Sequence, residues 1–164
     1  MPSEIFLLPL LFLTGLTAGL IDAIAGGGGL ITLPVLLSIG IPPKLALGTN
    51  KFQSTFGSFT ASYYYTHRGI AHPRSAKLGS IMTLVGAGLG AWAVQQIDSD
   101  VLSGIVPYLL LVIVVYTLLT PRLGEVHTVP KLSETAFYIL TGIILGFYDG
   151  FFGPGVGSFW TILF

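Results

Sequence analysis

Cysteine is absent from this 164-residue chain, and charged residues are few. The absence of cysteine excludes disulfides, thiolate metal sites and cysteine nucleophiles. Only 9% of the residues are charged and the formal net charge is zero, whereas a soluble domain carries about 25% charged residues because its surface faces water. The chain has no basic block, so nucleic acid is not an expected partner. Its charges are also too few to cover the surface of a soluble globule.

Apolar residues and glycine are abundant instead. The chain is 52% hydrophobic and contains 22 glycines, and its mean hydropathy is +0.85. Glycine is more frequent in membrane helices than in soluble ones. These features indicate an integral membrane protein whose surroundings are the lipid bilayer.

Long apolar runs divide the chain into helices. A spanning helix needs about 20 mostly apolar residues. Four runs meet that length, a fifth is long enough but polar, and one short run covers about half a bilayer. The four are residues 5–25, 75–95, 101–120 and 133–152, the polar run is 45–66, and the short one is 30–39. The sequence therefore predicts an all-α polytopic membrane helix bundle of six or seven transmembrane segments, with glycine-broken helices, in a single membrane domain (residues 1–164).

The positions of the basic residues predict the orientation. Two loops are basic and the loop between them is acidic, so the positive-inside rule places the basic loops in the cytoplasm. The amino terminus lies outside if residues 30–39 complete a hairpin with the first helix, and inside if they form only a re-entrant half-helix. The loops contain Arg68, Arg74 and Lys77, then Asp98 and Asp100, then Arg122 and Lys131.

An internal repeat is the most informative feature of the chain. Residues 14–37 align without gaps on residues 141–164, an offset of 127, and seven of the 24 positions are identical. The shared pattern is T-G-x-x-x-G-x-x-D-x-x-x-G-x-G, which places an aspartate before a glycine break twice. Internal repeats with interrupted helices are typical of secondary transporters.

The offset also predicts the division of the chain. Residues 5–127 form the first repeat, and residues 132–164 form the start of a second, incomplete one. We expect the chain to be a truncated transporter whose partner is the missing C-terminal half, or to form a homo-oligomer in which a second copy supplies that half.

Three segments resemble the TauE/SafE sulfite exporter family. They read LIDAIAGGGGLITLP at residues 20–34, ALGTNKFQS at 46–54 and GFYDGFFGPG at 146–155. The resemblance covers nearly the whole chain and is greatest to the bacterial branch of membrane transporters. It implies a multi-pass protein of the inner (cytoplasmic) membrane that exports sulfite, sulfonates or related small organic anions, and not an enzyme. No cofactor and no metal ion are expected.

The glycine breaks are the first candidate site. Glycine allows a sharp turn and close approach of bare backbone N–H groups to a ligand, and the amino end of the helix that follows favours an anion. The alternative is a hinge or close-packing turn that binds nothing. The residues concerned are Gly26, Gly27, Gly28 and Gly29 in the first repeat and Gly153, Pro154 and Gly155 in the second.

Two acidic residues, Asp22 and Asp149, lie at membrane depth. A charge in hydrocarbon is costly, so such residues face the bundle interior, pair with another group or stay protonated. They are candidates for proton coupling of transport. The alternative is structural, with Asp22 accepting hydrogen bonds from N–H groups of the glycine loop.

The polar helix supplies the remaining candidate ligands. Lys51 lies too deep for its ammonium to reach water easily, and it can pair with the substrate anion or, alternatively, with Asp22 in a structural ion pair. Its neighbours offer hydrogen-bond donors that suit oxyanion oxygens. These neighbours are Thr49, Asn50, Gln53 and Ser54.

Two rival functions follow from the same residues. A membrane anion sensor or assembly partner would bind the anion without moving it. An intramembrane aspartyl protease would use Asp22 and Asp149 as a proton-sharing pair, but the repeated glycine break has no role in such an enzyme.

Overall fold

The computed structural model describes residues 4–70, 77–119 and 133–163, and every regular element in these ranges is an α-helix. The all-helical prediction is therefore confirmed, and each predicted apolar run corresponds to one helix. The helices are α1 (Glu4–Ile24), α2 (Gly29–Ser38), α3 (Pro43–His67), α4 (Lys77–Gln96), α5 (Ser99–Leu119), α6 (Glu134–Phe151) and α7 (Val156–Leu163).

The helices differ in whether they can cross a membrane. Three are long and apolar enough by composition, namely Phe6–Ile24 in α1, and α4 and α5. Helix α3 has 25 residues but low hydrophobicity, and α6 has 18 residues. Helices α2 and α7 have only 10 and 8 residues, which corresponds to about half a bilayer at ~1.5 Å per residue.

Helix α1 runs parallel to α3. Gln53 Nε2 donates to the carbonyl of Gly15 at 3.5 Å, and four residues further along α3 Gly57 packs against Gly19. Because residue numbers rise together along both helices, both begin at the same face of the membrane. The basic loop after α3 places that face outside.

Helix α2 returns to the face from which α1 came. It is joined to α3 by only four residues, 39–42, and Gly29 at its start packs against Asn50, about two turns into α3. Helix α2 is thus antiparallel to α3 and begins near mid-membrane. Helices α1 and α2 therefore form a hairpin, and α1 begins at the same face as α3, but α2 is a half-helix that does not complete a second crossing.

The second copy of the repeated motif runs the opposite way. Gly79, Gly86 and Gly90 of α4 pack against successive residues of α6, ending at Phe151, so α4 and α6 are parallel. Helix α4 is antiparallel to α3, since Lys44 Nζ near the start of α3 donates to the carbonyl of Gln95 at 2.9 Å near the end of α4. Helices α1 and α6 therefore cross in opposite directions, which is the inverted arrangement known in transporters. The repeat boundaries at residues 5–127 and 132–164 stay a prediction.

The buried apolar core lies between α2, the first turns of α3, and α5. Helix α2 and the first turns of α3 lie in the outer half of the bundle, so this part of the core closes the molecule on that side. Its members include Leu33, Leu36, Ala46, Leu47, Leu102, Val106, Leu110 and Ile113.

The orientation gives a direct prediction. In a chain without native cysteine, we expect an impermeant maleimide to label Asp98→Cys from outside intact cells and Arg68→Cys only after permeabilisation. An epitope tag ahead of α1 should be accessible together with Asp98→Cys, because α1 and α3 begin at the same face. A tag that is accessible only with Arg68→Cys would contradict the hairpin.

Candidate functional site

Both glycine breaks begin in the same way. The N–H of Gly26 donates to the carbonyl of Ile21 at 3.1 Å, and the N–H of Gly153 donates to the carbonyl of Tyr148 at 3.1 Å. Gly26 has φ +68° and Gly153 has φ +96°, a left-handed conformation that glycine adopts without steric cost. Each break therefore ends its helix by the same mechanism, 127 residues apart.

The two breaks touch one another. The N–H of Gly157 donates to the carbonyl of Gly26 at 3.2 Å, and Gly29 lies against the ring of Pro154. Gly157 belongs to the first turn of α7, and Gly29 begins α2. The amino ends of two short helices thus meet near mid-membrane.

From this meeting point, the two short helices diverge. Gly155, just before α7, packs against Ile113 of α5, and Phe159 one turn later stacks near Tyr116 at a ring-centroid distance of 5.7 Å. Helix α7 therefore follows α5 towards the cytoplasmic face, whereas α2 runs outward. The positive dipole ends of α2 and α7 therefore face the meeting point of the two breaks from opposite sides.

A cavity of about 250 Å³ lies at this meeting point. Nine of the residues predicted from the sequence line it, which brings both breaks, both aspartates and the polar helix together. The nine are Asp22, Gly26, Gly29, Asn50, Lys51, Ser54, Asp149, Gly153 and Pro154.

Lys51 forms an ion pair with Asp149 across the cavity. The pair joins α3 to α6 and so links the two repeats. The sequence suggested Asp22 as an alternative partner of Lys51, but in the structure Lys51 pairs with Asp149. Both side chains keep about a third of their surface exposed, 31% for Lys51 and 34% for Asp149, so an ion in the cavity can reach either one.

Asp22 instead caps the first break. The N–H of Gly28 donates to Asp22 Oδ1 at 2.7 Å, which is the structural alternative that the sequence suggested for this residue. The second oxygen, Oδ2, is buried and has no hydrogen-bond partner among the described residues.

Asn50 is the most deeply buried polar side chain of the cavity. It is 3% exposed, and its Oδ1 has no hydrogen-bond partner in the part of the chain that the structure describes. Buried polar atoms are normally hydrogen-bonded, because leaving one unpaired costs roughly 1–3 kcal/mol. Rotation of the amide presents either an acceptor or two N–H donors, so Asn50 has unused capacity for a polar ligand.

The remaining predicted residues do not line the cavity. Thr49 is exposed on another face of α3. Gln53 turns towards α1 and α2, where it accepts a hydrogen bond from Thr32 Oγ1 at 3.4 Å. Gly27, Gly28 and Gly155 shape the breaks without lining the cavity, and a ligand role for these five residues stays a prediction.

Four lining residues were missed in the sequence: Ser58, Val156, Gly157 and Trp160. Ser58 lies four residues after Ser54, so helical periodicity could have indicated it. The other three follow the second break. The repeat alignment pairs Val156 with Gly29, a predicted site residue, and could have indicated it. Gly157 and Trp160 align with leucines, so no local signal indicated them.

The first break gives a prediction with an adjacent control. A Cβ at Gly28 would lie 2.6 Å from Asp22 Oδ2 and 2.8 Å from the carbonyl carbon of Ala18, whereas one at Gly27 would meet only a methyl of Ile21 at 3.7 Å. We expect Gly28→Ala to lower the melting temperature and weaken ligand binding, since overpacking costs about 1–3 kcal/mol. Gly27→Ala should resemble the wild type. Equal effects in thermal unfolding would contradict this geometry.

The chain is similar to proteins that are named as probable membrane transporters. It is 45% identical over 162 residues to a "Probable membrane transporter protein" of Haemophilus influenzae, covering 99% of this chain and 64% of that protein. It is 44% identical over 158 residues to the "Probable membrane transporter protein YfcA" of Escherichia coli K12, covering 96% and 59%. An archaeal probable membrane transporter of Methanocaldococcus jannaschii is 30% identical over 165 residues, covering 93% and 60%. No solved structure matches the chain significantly.

The chain spans about three fifths of the length of these relatives. The family described as "Sulfite exporter TauE/SafE" matches residues 11–164. The apolar helices and the family match confirm the prediction of a multi-pass membrane protein. The chain therefore belongs to the TauE/SafE family.

Proposed function

We propose that this protein takes part in the export of a small oxyanion, such as sulfite or a sulfonate, across the cytoplasmic membrane. The observation that carries the proposal is the convergence of two helix amino ends on a cavity that contains Lys51. Each helix end is equivalent to about half a positive charge and the ammonium adds a full one, which together balance the two aspartates. An anion is the favoured ligand when a carboxylate releases Lys51 or takes up a proton.

The size and polarity of the cavity suit a small ligand. A volume of about 250 Å³ corresponds to about eight waters at ~30 Å³ each. Ser54 and Asn50 offer hydrogen-bonding groups beside Lys51, and the oxygens of a sulfite or sulfonate accept several such bonds.

A second cavity supports access from the cytoplasm. It has a volume of about 640 Å³ and shares Ser58 and Trp160 with the first cavity. Hydroxyl groups of Ser62, Ser80 and Thr83 line it, on the later turns of α3 and the first turns of α4. These turns lie towards the cytoplasmic face, whereas the apolar core closes the outer side, so the arrangement suits uptake of substrate from inside.

The proposal also includes proton coupling of transport and a partner that completes the transporter. Asp22 and Asp149 are the proposed proton-coupling carboxylates, and a second copy of the chain or the further length found in the relatives is the proposed partner in transport. The rival function, an anion sensor or assembly partner, uses the same cavity without flux.

Flux from proteoliposomes tests the proposal. We expect vesicles containing the chain to release sulfite and methanesulfonate with saturable kinetics, and dimethyl sulfone, a neutral molecule of similar shape, to show no protein-dependent release. Saturable anion binding without flux would favour the sensor. Absence of anion binding by folded protein would contradict the anion site itself.

A further inference from the structure

The two repeated aspartates occupy equivalent positions but different surroundings. Asp22 and Asp149 are 127 residues apart, and each stands four residues before the left-handed glycine of its break. Equivalent side chains in equivalent breaks would be expected to make equivalent contacts. The structure shows two different sets of contacts.

Asp22 is held by its own break. The N–H of Gly28 occupies its Oδ1, and the side chain lies so close to Gly28 and Gly57 that a Cβ on either glycine would collide with it. A carboxylate held in this way cannot leave without opening the turn that starts α2.

Asp149 is held by a distant lysine instead. The residue that corresponds to Gly28 in the second break is Gly155, which packs against Ile113 of α5, while Asp149 pairs with Lys51 of the first repeat. The second break is stabilised differently, because the hydroxyl of Tyr148 donates to the carbonyl of Pro154 at 2.6 Å. Asp149 can therefore move without loss of a cap on its own break.

We propose that Asp149 is the counter-ion that the bound anion displaces from Lys51, and that Asp22 is a fixed cap. This inference rests on the proposed function. Lys51, Asp22 and Asp149 are the charged side chains that the described residues place around the cavity. An incoming anion and Asp149 compete for one ammonium, and binding of the anion breaks the charge link between α3 and α6. When this ion pair breaks, one contact that holds the two repeats together is lost, so substrate binding changes how firmly the repeats are held.

Two matched neutral substitutions test the inference on the purified full chain in nanodiscs, with sulfite and methanesulfonate as probes. Asp149→Asn removes the competitor, so the anion should bind about tenfold more tightly, as expected for loss of a close charge competitor. Asp22→Asn keeps an oxygen that accepts from Gly28 and removes a charge that is not paired with Lys51, so its gain in affinity should be clearly smaller than that of Asp149→Asn. Asp98→Asn, at an exposed position that does not line the cavity, should match the wild type. An equal gain in both cavity variants would overturn the distinction between the two aspartates.

The melting temperature of the protein without added anion gives a second test of the inference. Lys51→Gln leaves Asp149 without its partner and should lower the melting temperature. Addition of Asp149→Asn should restore it, whereas addition of Asp22→Asn should not. Rescue by Asp22→Asn would overturn the inference. Rescue by Asp149→Asn, together with a wild-type chain that binds neither probe, would instead overturn the proposed function, and anion displacement with it, while leaving the ion pair in place.

Discussion

Replacement of Lys51 by alanine is expected to weaken anion binding by about a hundredfold or more and to abolish flux. Loss of one partner from a buried, hydrogen-bonded charge pair typically costs about 2–5 kcal/mol, and the lower part of that range applies here because Lys51 is 31% exposed. Among the residues that the structure describes around the cavity, Lys51 carries the positive charge and the two aspartates are negative. Without the ammonium, Asp149 remains beside the site and repels the anion. Binding of radiolabelled sulfite to nanodiscs and efflux from proteoliposomes measure the two effects.

Two control variants distinguish the effect of the positive charge at position 51 from the effect of losing any lysine charge. Lys77→Ala removes the same charge from an exposed position at the start of α4, and we expect binding to be unchanged. Lys51→Arg retains the charge and should retain measurable binding. Wild-type affinity in Lys51→Ala, or an equal loss in Lys77→Ala, would show that the anion does not bind where we propose.

Replacement of Gly90 by alanine is expected to cause the largest loss of stability among single-methyl changes in α4. A Cβ at Gly90 would collide with the carbonyl oxygen of Phe147 and lie 2.6 Å from the backbone nitrogen of Phe151. Backbone atoms cannot move aside as side chains do, so α4 and α6 would separate. We expect a loss of about 2–3 kcal/mol and a fall in melting temperature of about 10 °C.

The same helix supplies the control for this prediction. A Cβ at Gly88 would meet nothing within 4 Å, and alanine is a better helix former than glycine by about 1 kcal/mol. Gly88→Ala should therefore be neutral or slightly stabilising. Because α6 carries Asp149 and the second break, Gly90→Ala should also weaken anion binding. Equal melting temperatures for the two variants would contradict the close packing of α4 on α6.

Much of the fold could be predicted because its causes are local. A spanning helix needs only a run of apolar residues, so each run gave one helix with small errors at the ends. The polar α3 and the short α2 were also recognisable from composition and length. The direction of α1 was not, because it depends on which residues of α3 it contacts, such as Gly15 with Gln53 and Gly19 with Gly57.

The candidate site also contains residues that the sequence predicted and residues that it did not. The repeat and the glycine breaks were visible in the sequence, and the residues that they indicated now line one cavity. Trp160 and Gly157 were not predicted, because they reach the cavity through the path of α7 and its contact with Gly26.

Membrane location, helical class and the places where helices break follow from residue order alone, because apolar runs and left-handed glycines act over a few neighbouring residues. The pairing of charges required the folded chain. Asp22 and Asp149 share one local pattern, yet Lys51 pairs with Asp149, 98 positions away. Only the opposite directions of the two repeats place that carboxylate within reach of the ammonium, and distance in space decides which charges neutralise one another.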